Sequence, residues 1–493
     1  MFDPVIDANF NEQKSSYKVA GMLFQTIPIE FKGVMTSLCS KTYPLPVKKI
    51  ENGVFIQLEP FETSKHGDGL FKIFADPTVI HRYKYTTLWN LNDKEDFQRW
   101  VREETQIEDR IYFMIVEKRR NQIYGLIKIV DCDTQHGVGE VGIAVKLGTP
   151  KHFVLESDYL AMKYFFDFLG YRRIAGSAAL QSLLIGKHAS KFGSKFEGIL
   201  RQFIVRKNEI WDMTVYSVLD EDWKVLRTAF EEWLEPLNIV ANLPKKSFSD
   251  ILKNSSIYDS LLDTAYNLKT APLKTIKNFC PSDPLPVKLM SRNVTILPVD
   301  SSIHAEKIWN LWSSNKECNS YMLDCLSSNK EMYSKWLKHL ESEKNTLLFI
   351  TLNKNHGEVE MLQRLRHIEK EDSDINFISL DCILIKAFIS VDVFLETMFL
   401  LLSYLFDELN FIRVEYLCDD SNVFFKEFLI ESEFQREAVF RQHMVFDDRR
   451  IDVSVFSMLK EEWELNKKQF FAERKNKVFS EDHAQILNYK AKY

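Results

Sequence analysis

The chain writes one stretch twice. Residues 156–223 return as 396–463, displaced by 240 positions with no gap. Tyr164, Phe166, Asp167 and Leu169 come back as Tyr404, Phe406, Asp407 and Leu409, and Arg173 as Arg413. The pair Arg201-Gln202 returns as Arg441-Gln442. Asp212, Ser217, Leu219, Glu221 and Trp223 return as Asp452, Ser457, Leu459, Glu461 and Trp463. Between 196 and 223, ten of the 28 positions match their partners. A fixed internal period constrains a fold more than any local propensity, and this one reads as two copies of one domain.

A chain of 493 residues has room for two or three domains with cores of their own. It is 45% hydrophobic and 27% charged, the balance of a globular protein rather than a disordered one. The formal net charge is −6 with both signs interspersed, which gives no electrostatic case for a nucleic-acid or membrane partner. Seven scattered cysteines with no C-x-x-C spacing read as buried thiols in a reducing compartment. The eleven histidines form no metal-ligand pattern. The first residues lack the basic and apolar run of a signal peptide, and no apolar run approaches the ~18 residues of a membrane span. A soluble, cytoplasmic protein is expected.

Five organisational units follow. Residues 1–43 read as an N-terminal arm. The first domain spans 44–239 and the second 284–465, each opening on the same five letters, Pro-Leu-Pro-Val-Lys. Two prolines in a pentapeptide favour an extended lead-in. Residues 240–283 form a linker with a helical stretch over 251–268, and 466–493 a helical tail. Within the first domain the pattern predicts a strand at 54–58 and helices at 66–74 and 94–103, the latter capped by Asn92-Asp93. A hairpin (111–116 and 123–130) and a strand at 140–145 come next. An amphipathic helix (152–169), a strand from Arg173, a second helix (183–192) and two closing strands (198–205, 214–219) finish the unit. The second domain repeats this order.

That order, with these letters, resembles the GNAT N-acetyltransferase superfamily, in the Rim-type branch of ribosomal-protein alanine acetyltransferases and their small-molecule-modifying relatives. The carriers are Glu140-Val141-Gly142, the run from Tyr164 to Arg173, Phe196 to Gln202, and Asp212 to Trp223. In the second copy they are Asn422 twelve residues before Phe434, and Glu437 to Met444. The resemblance covers about 44–235 and 284–465. It implies an α/β fold of two tandem GNAT-like domains. Each would have a central mixed, mostly antiparallel sheet flanked by helices, with two neighbouring strands splayed apart.

It also implies chemistry. In this family acetyl-CoA is held by consecutive backbone N–H groups at a helix start, where the helix terminus favours the pyrophosphate charge. The matching positions are Val145, Leu147, Thr149, Lys151, His152 and Phe153, with Ser182 and Asn422 at the family's asparagine position. Pro150 and His152 stand where glycines are usual, and the second copy has Ser390-Val391-Asp392, with a carboxylate facing the expected phosphates. Glu140 stands where relatives keep the base that prepares the amine; the second copy has Leu380. The family's acid positions hold Ile185 and Ala189, or Phe425 and Leu429, none of which carries an exchangeable proton. Asp212 and Asp452 are expected to satisfy turn amides, Trp223 and Trp463 to anchor the core, and Arg201 and Arg441, which on the closing strands could line an acceptor groove, to form surface ion pairs in preference. Two functions remain open. One is an acetyl-CoA-dependent N-acetyltransferase acting on an amine of a protein N-terminus or small molecule. The other is a catalytically degenerate tandem serving in binding or assembly. In either case the halves are expected to pack as a pseudo-dimer.

Overall fold

The computed structural model describes residues 42–82, 93–107, 109–182, 188–189, 193–206, 209–240, 243–253, 274–275, 284–314, 330–343, 346–370, 375–385, 389–446, 449–465, 467 and 485–488. Of the expected features, the arm up to residue 41, most of the helix at 183–192, and the linker helix beyond Lys253 lie outside these residues.

The first half contains β1 (Glu51–Asn52), β2 (Ile56–Pro60), α1 (Thr63–Phe74), α2 (Pro77–Arg82), α3 (Lys94–Glu103), β3 (Ile111–Glu117), β4 (Gln122–Asp133) and β5 (Val138–Val145). It continues with α4 (Lys151–Lys163), β6 (Arg173–Ala179), β7 (Lys195–Arg206), β8 (Glu209–Leu219) and α5 (Asp220–Leu234). Its strands lie in the order β1-β2-β3-β4-β5-β6-β8-β7, antiparallel except for the parallel pair β5–β6. Strand β3 shows why the sheet carries helices on both faces. Ile111, Phe113 and Ile115 join the core under α4 and α5, while Tyr112, Met114 and Val116 join a second core under α1 and α3. Side chains alternate along a strand, so an unbroken apolar run requires cover on both sides. Helix α3 starts where Asp93 accepts the N–H groups of Glu95 (2.7 Å) and Asp96 (3.2 Å).

After the hairpin β9 (Ile239–Val240) and β10 (Leu243–Pro244), helix α6 (Phe248–Leu252) packs back on the first half. Phe248 and Leu252 belong to its core, and the Phe248 ring lies 4.6 Å from Phe230. The first half therefore reaches beyond the expected boundary at 239, because two apolar side chains of the presumed linker find cover there. The two-residue β11 (Lys274–Thr275) pairs with β8.

The second half holds β12 (Val287–Met290), β13 (Val294–Pro298), α7 (Ser301–Ser314), α8 (Lys330–Ser342), β14 (Thr346–Asn353), β15 (Val359–Lys370) and β16 (Ile375–Ile385). There follow α9 (Val391–Ser403), β17 (Arg413–Asp419), α10 (Val423–Glu431), β18 (Gln435–Phe446) and β19 (Arg449–Leu459). The strand order repeats as β12-β13-β14-β15-β16-β17-β19-β18, again with one parallel pair, β16–β17. The tail, expected as a helix, contributes instead β20 (Gln485–Asn488), antiparallel on β12. An open sheet edge offers unpaired amides, and an apolar Ile-Leu pair can extend it. Among the described residues no helix is long and apolar enough to cross a membrane.

Repeated letters do repeated work. Each long helix ends in a widened turn, where the Leu169 and Leu409 N–H groups reach the carbonyls of Tyr164 and Tyr404 five residues back (3.0 Å in both). The expected helix over 152–169 is thus α4 plus this turn. The Tyr164 hydroxyl donates to the Val47 carbonyl (2.7 Å) and that of Tyr404 to Leu285 (2.9 Å), pinning each proline-rich lead-in. Glu156, fully buried, accepts from the amides of Val54, Phe55 and Ile56, and Glu396 likewise holds Ser291 and Asn293. Trp223 and Trp463 lie in the cores and donate to Asp167 (2.8 Å) and Asp407 (3.1 Å). Asp212 and Asp452 accept the turn amides of Gln202 (2.8 Å) and Gln442 (2.6 Å).

The halves meet through β7 and β18, which pair antiparallel at one position, Gly198 with Ala438. The two expected sheets are thereby one ladder. Around that bridge three kinds of contact have a counterpart 240 residues away, while Arg172 to the His443 carbonyl (2.9 Å) and Arg450 to Asp220 (2.6 Å) stand on one side only. The Arg441 N–H donates to Glu197 (2.7 Å) and the Arg201 N–H to Glu437 (3.2 Å). Arg173 donates to the Arg441 carbonyl (2.8 Å), and Arg413 to that of Arg201 (2.7 Å). The Arg441 guanidinium holds Ser217 (2.8 Å) and Asp222 (3.0 Å), while that of Arg201 holds Ser457 (3.0 Å) and Glu462. These arginines do not form the expected surface ion pairs; their partners lie buried or part-buried at the junction. Each sits in a three-residue bulge of its strand, which carries it across to the other half. Ala179, Leu200, Met213 and Val215 pack there with Ala438 and Val455 as a small shared apolar core.

Candidate active site

Strands β5 and β6 pair over three positions only: Val138 with Arg173, Gly139 with Ile174, and Glu140 with Ala175. Beyond Glu140 they part. Strand β5 continues along β4 to Val145, and β6 continues along β8 to Ala179. The facing edges of the two strands are left for something other than a strand, which suits an extended ligand rich in amides.

The floor of this split is built from small residues. Gly176 is half-buried, and a Cβ added there would meet only the Val141 carbonyl, at an ordinary 3.8 Å. The second half closes the same place. Its counterpart, Tyr416, is 1% exposed, with its ring 5.2 Å from Phe425 and 6.3 Å from Phe434. In the first half those two aromatics correspond to Ile185, outside the described residues, and Ser194.

Between β5 and α4 the chain turns through Lys146 to Pro150. Gly148 takes a φ of +77° with open space where a side chain would stand, so backbone can approach a ligand closely. The Thr149 hydroxyl donates to the Lys146 carbonyl (2.8 Å) and closes the turn. The Phe153 N–H (2.9 Å) and the Val154 N–H (3.3 Å) already reach the Pro150 carbonyl. Helix geometry leaves the Lys151 and His152 amides over at this terminus, pointing outward as anion donors. Lys151 is exposed beside them. Lys146 lies 3.6 Å over the Tyr124 ring, where burial pulls its ammonium pKa down.

Not every expected contact group faces this turn. Val145 and Phe153 are core side chains, and Leu147 is exposed. The His152 ring is 3% exposed, wedged 4.7 Å from Phe55 and 4.6 Å from Phe153. Burial lowers its pKa and keeps it neutral, so only its amide is available to a phosphate. Asn422 lies in the other half, where its side chain accepts the Phe425 N–H (2.9 Å) and caps α10. Ser182 donates its N–H to Ala179 (2.7 Å) at the turn after β6. Asp392 is exposed in the first turn of α9.

Glu140 lies on the face of β5 opposite Val141, whose side chain packs under α4. Its carboxylate is a quarter exposed and accepts from the Lys128 ammonium at 2.8 Å. Sequence reasoning named Glu140 but not Lys128, which the β4–β5 register places on the same face. It also missed His188, whose Nε2 lies 2.8 Å from the Asp158 carboxylate on α4. The second copy has Phe428 and Met398 at these places, and Phe428 packs 4.8 Å from Phe394. A polar pair standing where the repeat has a core contact was the available signal.

Residues 56–190 match the model of the acetyltransferase (GNAT) domain. Over 132 residues the chain is 27% identical to the SPbeta prophage-derived uncharacterized N-acetyltransferase YokL of Bacillus subtilis (strain 168), 26% of this chain and 73% of that protein. Among solved structures, a GCN5-related N-acetyltransferase from Brucella melitensis is 29% identical, covering 43% of this chain and 98% of its own, with a TM-score of 0.41. A probable GNAT-family acetyltransferase from Chromobacterium violaceum is 25% identical, covering 38% and 96%, with a TM-score of 0.36. The stretch 56–190 of the first half is thus similar to a GNAT acetyltransferase domain.

Proposed function

We propose that the first half is an acetyl-CoA-dependent N-acetyltransferase of the Rim-type branch, acting on an amine of a protein N-terminus or a small molecule in the cytoplasm. The second half is a second, catalytically silent GNAT-fold domain packed against it as a pseudo-dimer partner. The observation that carries this reading is the contrast at one sheet position, Gly176 open against Tyr416 closed. One half keeps room beside its split, and the other has filled it with a core aromatic.

Acetyl-CoA would supply the acetyl thioester. The Lys151 and His152 amides and the Lys151 ammonium would hold its phosphates, and the open edges of β5 and β6 its amide-bearing arm. The amine nitrogen would bond to the acetyl carbon as the C–S bond breaks. Glu140 would take the proton that the amine loses, once Lys128 shares or releases the carboxylate, and water would give the leaving CoA thiolate its proton. The test is calorimetry with acetyl-CoA on the full chain. The parent protein should bind one equivalent, Gly176→Tyr should bind none while folding normally, and Tyr416→Gly should leave the stoichiometry at one. A parent protein that does not bind acetyl-CoA overturns the proposal.

A further inference from the structure

One row of the sheet runs Val130, Glu140, Ala175, Ser217 across β4, β5, β6 and β8. The side chains of this row lie on the face away from α4, because Val141, Ile174 and Val218 pack on the α4 side. Val130 already belongs to the cluster under α1 and α3. At the other end the Ser217 hydroxyl and carbonyl are held by Arg441 of the second half, at 2.8 and 3.1 Å. Between these ends Glu140 and Ala175 are half-buried and Ser177 is exposed.

We infer that the acceptor groove of the first half is a composite, floored by Glu140 and Ala175, walled on one side by α1 and α3, and on the other by Arg441 from the second half. Three strand spacings separate the wall positions, roughly 14 Å. The groove thus admits a primary amine carried on an extended chain or a small scaffold, with the flanking atoms meeting both halves. The cofactor side of the split lies on the opposite face. The second half is then a specificity element for chemistry it does not perform. This rests on the acetyltransferase reading for the identity of the ligand, but not for the existence of the groove.

Arg441 can be removed without stranding a buried charge, because Glu197 keeps Arg173 at 2.6 and 2.7 Å and Asp222 keeps Lys195 at 2.9 Å. The test places a thiol on the floor, Ala175→Cys in the full chain, and follows its alkylation by iodoacetamide and by fluorescein maleimide through peptide mass spectrometry. Adding Arg441→Ala should speed the bulky maleimide severalfold and leave iodoacetamide unchanged, whereas Arg441→Lys should alter neither. Equal acceleration of both reagents would mean general loosening, and acceleration of neither would mean no wall; either overturns the composite groove. Calorimetry with acetyl-CoA on the same proteins reads the other question separately. A groove that responds as expected in a protein that fails to bind acetyl-CoA would keep the wall and discard acetyl transfer. Binding that survives carbamidomethylation of the new thiol places acceptor and cofactor on different faces, and loss of binding contradicts that.

Discussion

Glu140 and Lys128 hold each other across neighbouring strands, so the carboxylate has to share or lose that cation before it can take a proton. Glu140→Gln keeps the shape and removes the basicity. Steady-state rates should fall about 10²–10⁴-fold, with acetyl-CoA affinity by calorimetry near that of the parent. A variant as fast as the parent would reduce Glu140 to an ordinary strand residue. The position of Glu140 was legible because family letters surround it. Lys128 was not, since it lies twelve residues away and meets Glu140 only through the strand register. His152 illustrates the converse. Its place at the helix start was legible, but the direction of its ring was not, because Phe55, which helps to bury it, comes from the far end of the domain.

At the start of α4 the proposed function assigns the binding to an element rather than to a side chain. Its leftover amides and Lys151 together favour an anion, and the helix terminus adds its own partial positive charge. Lys151→Glu should weaken acetyl-CoA binding, severalfold at physiological salt and more at low ionic strength. Affinity that does not change with this substitution would move the phosphates elsewhere. The helices and strands themselves were largely legible. The apolar run of β3 and the Asp93 cap of α3 are local signals, and local signals survive in a sequence. What was not legible depends on distant cover. Helix α6 forms because Phe230 is waiting for Phe248, and β20 because β12 has a free edge.

Across the whole molecule the repeat predicted two domains but not how they grip. Arg201 and Arg441 were visible as a repeated pair, yet nothing local says that each bulge reaches the other half. The grip makes stability a joint property. Arg413 is fully buried between Glu415 (3.0 Å) and Glu437 (2.8 Å), so Arg413→Ala should cost about 3–5 kcal/mol in denaturant unfolding. His443 sits at the same junction, where burial above all, and then Arg173, pushes its pKa down to about 3. An unfolded chain binds that proton more readily, so stability should be complete above about pH 6.5 and fall as the pH drops toward 3. The slope is at most about 1.4 kcal/mol per pH unit. His443→Phe, which copies Phe203 from the first half, should flatten that part of the profile in thermal melts taken across pH. Gly198 faces Ala438 at the centre of the junction, where a Cβ on Gly198 would stand 2.6 Å from the Ala438 Cα and Cβ. Gly198→Ala should therefore destabilise the chain, and Ala438→Gly should be mild. In an assembly of two identical chains, the residue on the axis meets its own copy, and one codon decides both sides. Here two codons do, so one side could keep the glycine while the other gained a methyl group. The same independence let one copy set a buried tyrosine, Tyr416, where the other keeps Gly176, a divergence no gene encoding a single copy could have recorded.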